Sequence, residues 1–325
     1  MKHNLKVTLS LILLFVLAQF IGLLIISQYV DIKESSSSGE TVINEDLYFV
    51  EPPKVENESW SWVYLMFPIL FGTLIVLLLI KFKLKKIWKF WFALSIILAL
   101  SIAFYPFMDM FFNYLSWSGA LTVAVLFSAI LTFLKMKYQG NFIHNFTEMF
   151  MYGGLAALFV PILNITSGII LLILIAIYDA YAVWHSKHMV AMANFQTDAG
   201  FFAGLSINYN KNKLNKINSN KSKTGKLEVK TIKSDKVSNN SKSKGKSSNS
   251  SVAILGGGDI TFPLLFAGAV LKVTGNYGLS ILISLGATIA LALLLFFGKK
   301  GRFYPAMPFI SSGCLIAFLS GFFLI

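Results

Sequence analysis

The sequence predicts an all-α, polytopic membrane protein with nine transmembrane helices. Two observations lead to this fold class. Of the 325 residues, 56% are hydrophobic and only 13% are charged, and the apolar residues fall into runs near the roughly 20 residues that a helix needs to cross a bilayer. Lipid offers no partner for backbone amides, so only helices and closed barrels span it. The short alternating segments typical of a barrel do not occur, which leaves helices.

Nine apolar runs define the predicted helices. The first begins beside Lys2 and Lys6, as a secretory signal would, but it is longer than a signal's apolar region and ends without a small-residue cleavage site. We therefore expect it to be retained as a helix. The runs cover residues 5–30, 61–80, 90–112, 117–134, 143–160, 162–184, 252–271, 277–298 and 304–325. The short links between most of them leave no room for a large soluble catalytic domain.

The positive charges indicate how the chain crosses the membrane. If successive helices alternate in direction, 25 of the 28 Lys and Arg residues fall on the same side as the N-terminus. The positive-inside rule places that side in the cytoplasm. We therefore expect an integral protein of the cell membrane with a cytoplasmic N-terminus, a cytoplasmic segment 185–251 and an external C-terminus.

A polar, lysine-rich connector divides the chain into three parts. Residues 1–207 are predicted to hold six helices, residues 208–251 to be a disordered basic cytoplasmic loop, and residues 252–325 to hold three helices. The connector is mostly Lys, Asn, Ser, Gly and Thr, so it has too little apolar surface to offset the entropy of ordering. Tyr209 is its only aromatic residue, so the expected partner is the lipid bilayer and not nucleic acid.

Two aspartates, Asp179 and Asp259, lie inside apolar runs on either side of this connector. A carboxylate in the middle of a bilayer costs about 2.5–3.5 kcal/mol, so each requires a functional explanation. Counted from the cytoplasmic ends of their helices, they lie about 9 and 12 Å deep at 1.5 Å per residue. They occupy similar depths on antiparallel neighbours, a spacing that permits them to face each other.

A facing pair of aspartates has a defined chemistry. Repulsion and a low dielectric prevent both from ionising, so the pair is expected to share one proton near neutral pH. One ionised carboxylate then activates water while the protonated one polarises a carbonyl. The reaction indicated is hydrolysis of a peptide bond without a covalent enzyme intermediate.

Glycines and prolines near the two aspartates add to this hypothesis. Gly256, Gly257 and Gly258 precede Asp259 and allow another backbone to approach closely, although small residues also serve helix packing in membranes. The sequence Tyr304-Pro305-Ala306-Met307-Pro308 opens the ninth run, and its prolines leave main-chain groups free to pair with an extended peptide. The alternative for these prolines is an ordinary helix start.

These motifs, in this order, resemble those of the presenilin and signal-peptide-peptidase family of intramembrane aspartyl proteases, and the chain looks like an archaeal presenilin homologue. The resemblance extends over the whole chain and includes a G-x-G-D at residues 256–259. It implies that Asp179 and Asp259 are the catalytic pair and that the substrates are transmembrane helices. It implies neither a metal nor an organic cofactor, and it leaves open whether partner subunits are obligatory. The residues expected to bind substrate or shape the site are Tyr178, Gly256, Gly257, Gly258, Pro305, Ala306 and Met307, the last replacing the leucine of the family's P-A-L.

Other functions remain open from the sequence. Prepilin and preflagellin peptidases also resemble the chain through a G-x-G-D aspartate, but they usually have fewer helices and lack the proline motif. A transporter could use the two aspartates to relay protons. A metalloprotease is disfavoured because no H-E-x-x-H motif occurs; the four histidines are His3, His144, His185 and His188. Glu148, near the start of the fifth run, is expected to be structural or solvated.

Overall fold

The computed structural model of the protein describes residues 5–44, 47, 58–112, 117–138, 140–186, 202–210, 250–298 and 304–324. Within these ranges the chain forms nine long helices, one short helix and a two-stranded antiparallel sheet. The predicted helical class is therefore confirmed.

The helices before the connector correspond to the first six apolar runs, with one short helix added. They are α1 (Leu5–Tyr29), the short α2 (Ile32–Ser38), α3 (Ser61–Lys81), α4 (Lys85–Phe111), α5 (Trp117–Lys137), α6 (Asn141–Phe159) and α7 (Ile165–Tyr181). The last of these begins at a capping box, in which Asn164 and Ser167 bond each other's backbone N–H groups. It continues as a π-helical turn over Ala182–Ser186.

The remaining elements are two strands and three helices. They are β1 (Gly204–Asn210), β2 (Ser250–Gly256), α8 (Gly258–Thr274), α9 (Tyr277–Phe297) and α10 (Met307–Leu324). The strands pair in register from Gly204 with Gly256 to Asn210 with Ser250. Each of the nine predicted runs thus contains one long helix.

The seventh run differs from the prediction at its start. Residues 252–256 belong to β2, and the helix begins only at Gly258. The side chains alternate along this strand: Leu255 is 5% exposed whereas Ile254 is 45% exposed. A short apolar run continuous with a helix does not distinguish strand from helix by its composition, which is why the sequence predicted helix from residue 252.

The strands also overlap both ends of the predicted disordered loop. Residues 208–210 lie in β1 and residues 250–251 lie in β2, so these ends of the predicted loop 208–251 are ordered by pairing with each other. The rest of the predicted loop, residues 211–249, lies outside the described residues.

Six of the long helices are long and apolar enough to cross a membrane by length and composition: α1, α3, α4, α5, α7 and α9. The other three, α6, α8 and α10, do not meet that test over their described residues, although α10 is a shorter apolar helix. The protein is therefore a polytopic membrane protein, and the number of nine spans stays a prediction.

Helix α8 lies at the centre of the bundle and α3 at its edge. Almost every side chain from Ile260 to Lys272 is buried, because α8 packs against α1, α6, α7, α9 and α10. In contrast, only Ser61 and Leu65 are buried on α3. The central position of α8 places its first turn, which carries Asp259, against several other helices.

Candidate active site

Asp179 lies near the end of α7, where regular α-helix changes to a π-helical turn. Its side chain is buried, at 5% exposure. One carboxylate oxygen accepts a hydrogen bond of 3.1 Å from the backbone N–H of Met307, the first residue of α10. The backbone N–H of Ala306 also interacts with this carboxylate. The proline motif is thus connected to Asp179 through its main chain.

Asp259 lies in the first turn of α8, immediately after the hairpin. The helix starts with Ile260 and Thr261 donating backbone hydrogen bonds to the Gly257 carbonyl. The backbone N–H of Gly256 interacts with the Asp259 carboxylate, and a Cβ placed on Gly256 would lie 3.2 Å from Asp259 Oδ2. The carboxylate therefore folds back over the end of β2.

The two aspartates are neighbours in space. Helices α7 and α8 pack directly against each other, and the carboxyl groups of Asp179 and Asp259 are close enough for their charges to interact. Two acidic groups separated by 80 positions in the sequence are thus brought to the same end of the bundle, beside the start of α10.

The other predicted site residues take different positions. Gly256 is the last residue of β2, Gly257 lies between β2 and α8, and Gly258 is exposed at the start of α8. Pro305 is buried and Ala306 is half-buried, directly before Met307. Tyr178 contacts another element, because its hydroxyl hydrogen-bonds Thr73 Oγ1 of α3 at 3.1 Å.

A proline and a glutamine shape the first turn of α8. Pro263 lies inside the helix and lacks the N–H that would bond the Asp259 carbonyl. The side-chain amide of Gln19, which is buried on α1, donates a hydrogen bond of 2.9 Å to the Ile260 carbonyl. Proline thus loosens the turn that carries Asp259, while α1 holds that turn from the side.

The sequence did not reveal a polar cluster beside the site. Glu148 is fully buried, not solvated. It accepts hydrogen bonds from Lys135, Tyr152 and the backbone N–H of Gly204. The only signal in the sequence was a glutamate in a predicted membrane helix, a residue type that is costly there. Tyr152 lies four residues after Glu148 on α6, a spacing that brings two side chains together on a helix. Lys135 and Gly204 come from other elements, and no spacing rule predicts them.

The histidines do not form a metal site in the part of the chain that the structure describes. His144 Nε2 lies 2.8 Å from the Gly204 carbonyl, and His185 is exposed beside Tyr181. His3 and His188 lie outside the described residues. Over the described ranges, no three His, Cys, Asp or Glu residues are grouped so that they could hold a metal ion.

Comparison with known proteins assigns the class that the aspartates indicate. The family model described as signal-peptide peptidase, presenilin aspartyl protease matches residues 12–325. The chain therefore belongs to this family, which confirms the resemblance seen in its motifs, and it is an intramembrane aspartyl endopeptidase. No curated protein sequence matches the chain significantly.

Solved structures of similar fold agree with this assignment. A presenilin family intramembrane aspartate protease in space group C222 has a TM-score of 0.60 and 15% identity, covering 98% of this chain and 99% of that chain. The same class of protein in space group P2 has a TM-score of 0.62 and 16% identity, covering 98% of both chains. At these identities the similarity concerns the fold alone, which is presenilin-like.

Proposed function

We propose that Asp179 and Asp259 are the catalytic pair, and that the enzyme hydrolyses peptide bonds within or near the transmembrane helices of other proteins. The observation that carries this proposal is that α7 and α8 pack together and bring the two carboxyl groups to one end of the bundle, near enough for an electrostatic interaction. Two interacting carboxylates in a low dielectric hold one shared proton.

The chemistry follows from that single proton. The ionised carboxylate removes a proton from a water molecule, and the oxygen of that water attacks the scissile carbonyl carbon. The protonated carboxyl donates its proton to the carbonyl oxygen, which gives a gem-diol. Collapse of the gem-diol breaks the C–N bond as a proton passes to the leaving nitrogen. The pair regains its one shared proton, and no covalent enzyme intermediate forms.

Two stretches of backbone beside the aspartates support the binding of an extended substrate. Within the described residues the sheet has two strands, so β2 pairs with β1 along one edge and offers its other edge. β2 ends at Gly256, three residues before Asp259. An extended peptide added to that edge would lead its scissile bond to the carboxylates. Pro305 and Ala306, just before α10, and Met307, its first residue, flank the same place.

The proposed arrangement in the membrane has nine spans. The lysines and arginines favour a cytoplasmic N-terminus, with the hairpin and the connector on the cytoplasmic side and the C-terminus outside. The aspartates would then lie near the cytoplasmic surface, at the depth expected from the sequence.

The test is cleavage of a single-span substrate by purified enzyme in liposomes. General acid and base catalysis contributes about 10²–10⁴-fold, so we expect Asp179→Asn and Asp259→Asn each to reduce the cleavage rate by at least about 10²-fold. Asp109→Asn is the matched control, because Asp109 lies in α4, outside the site, and this variant should cleave normally. Full activity in either site variant would refute the proposal.

A further inference from the structure

We propose that Glu148 is a positioning residue of this enzyme, acting through Tyr152. It holds the start of the hairpin and the turn before Asp259 in one fixed arrangement. This inference rests on the proposed function of the two aspartates, because it concerns how one of them is placed.

Glu148 is held by hydrogen bonds from three elements. Its side chain has no solvent exposure, and its two oxygens accept from three donors on three elements: the Lys135 ammonium of α5, the Tyr152 hydroxyl of α6 and the Gly204 N–H of β1. A carboxylate is the side chain that can accept from several donors at once while the adjacent ammonium neutralises it. Removing one charge of such a buried pair strongly destabilises a protein.

Helix α6 holds the hairpin through the backbone of β1. Gly204 is held at both backbone groups, because its N–H donates a hydrogen bond of 2.9 Å to Glu148 and its carbonyl lies 2.8 Å from His144 Nε2. Ser206, two residues after Gly204 on β1, is held in the same way. Its N–H donates a hydrogen bond of 2.9 Å to the Asn145 side chain, and its carbonyl accepts one of 2.8 Å from that side chain. Since Gly204 pairs with Gly256, α6 fixes the end of β2 as well.

Tyr152 packs against the turn before Asp259. The tyrosine is buried, and a Cβ placed on Gly257 would lie 2.5 Å from its Oη and 2.9 Å from its ring. The phenol therefore rests directly on the Gly257 backbone. Tyr152 is also close enough to Asp259 for an electrostatic interaction. Glu148 fixes the phenol, and the phenol fixes the backbone that leads into the aspartate.

A merely structural ion pair and a positioning network predict different kinetics. Loss of structure reduces the fraction of folded enzyme, whereas loss of positioning reduces kcat per folded molecule. A misplacement of about 1 Å at a reacting group can cost about 10²-fold in rate. Substrate binding by the hairpin edge needs the strand but not the tyrosine hydroxyl, so KM should change little.

The first experiment uses Tyr152→Phe, which removes only the hydroxyl. In liposomes with a single-span substrate, we expect kcat per folded molecule to fall about tenfold or more, with KM within twofold of wild type. Tyr29→Phe is the matched control. Tyr29 is a buried tyrosine of α1 whose hydroxyl donates a hydrogen bond of 2.6 Å to the Ile102 carbonyl, away from the aspartates. It should lower thermal stability to a similar extent and leave kcat unchanged.

The second experiment removes both charges of the buried pair, so that no buried ion is left alone. The double variant Lys135→Met/Glu148→Gln should fold, and its kcat should fall as in Tyr152→Phe. Adding Tyr152→Phe to the double variant should lower kcat little further, because all three substitutions act through the same contact. A wild-type kcat in Tyr152→Phe, or a change in KM alone, would overturn the positioning role. The proposed function would stand in that case, provided that cleavage still depended on the two aspartates. Cleavage that survives Asp179→Asn would instead overturn the proposed function.

Discussion

At the scale of single residues, Gly257 has the least room for a side chain of the three glycines before Asp259. Tyr152 covers it so closely that any Cβ would overlap the phenol ring. The tyrosine cannot move freely, because its hydroxyl is bonded to the buried Glu148. The absence of a side chain at Gly257 is therefore required by packing on α6, in addition to any role in admitting a substrate.

We expect Gly257→Ala to reduce cleavage and to destabilise the protein. Overpacking of this kind costs about 1–3 kcal/mol, and here the strain falls on the turn that leads into Asp259. Gly72→Ala is the control, because a Cβ at Gly72 of α3 meets no atom within 4 Å. Thermal unfolding in micelles and cleavage in liposomes measure both effects. Equal activity of Gly257→Ala and Gly72→Ala would contradict the close packing of Tyr152.

The sequence marks some residues of the candidate site and gives no sign of others. Asp179 and Asp259 stand out because carboxylates are costly in apolar helices, and glycine and proline motifs mark the adjacent backbone. Tyr152 has no such mark, since a tyrosine in an apolar helix is ordinary. Its proposed role comes from contacts with Glu148, four residues earlier on α6, and with Gly257, a contact that depends on how α6 packs beside α8.

At the scale of elements, the crossing of α9 and α10 determines where the proline motif lies. A Cβ on Gly286 would lie 2.5 Å from the Gly313 carbonyl, and one on Gly313 would lie 2.5 Å from the Gly286 carbonyl. Two glycines facing each other let helix backbones approach closely in a membrane. This crossing fixes α10, whose first residue, Met307, donates its N–H to Asp179.

We expect Gly313→Val to separate α9 from α10 and to lower both thermal stability and cleavage. The cost should be about 1–3 kcal/mol, as for other overpacked sites. Ile316→Ala is the control on the same helix, because Ile316 is exposed on the outer surface. Thermal unfolding and cleavage rates should separate the two variants clearly; matching results would show that the crossing does not set the position of α10.

Helix order could be predicted from the sequence, but the hairpin could not. Apolar runs report which segments avoid water, and each of the nine contains a long helix. A strand in a two-stranded sheet depends on its partner, and Gly204 and Gly256 are separated by a long polar segment. Local composition carries no information on such a pairing, so residues 252–256 resembled the start of the next helix.

At the scale of the whole molecule, α8 illustrates why only six of the nine long helices in the described residues qualify as membrane spans by length and composition. It contains Asp259, Pro263, Lys272 and two glycines, and it is not among the helices that qualify as spans. Its neighbours are protein on nearly all sides, so its surface does not need to match lipid. Buried Lys272 illustrates this, since its ammonium donates to Thr41 Oγ1 and to the Pro161 carbonyl.

The connector between the two aspartates should be dispensable for folding and cleavage. Asn210 and Ser250 already pair at the open end of the hairpin, so residues 211–249 can be replaced by Asn-Gly, which closes a two-residue hairpin turn. The connector shortens from 39 residues to 2, slightly more than four halvings at about 0.6 kcal/mol each, so the fold should be stabilised by about 2.5 kcal/mol. Orientation should persist, because 13 of the 16 remaining Lys and Arg residues stay on the predicted cytoplasmic side.

We expect this shortened enzyme to cleave a single-span substrate in liposomes at a rate within about twofold of wild type. The control removes 207–253 with the same replacement, which takes away most of both strands and should abolish cleavage. The comparison separates the role of the hairpin from that of the connector. The strands hold Gly256 and Gly257 beside Asp259, whereas residues 211–249 are expected only to join the strands. Loss of cleavage in a folded Asn-Gly variant would assign the connector a function of its own.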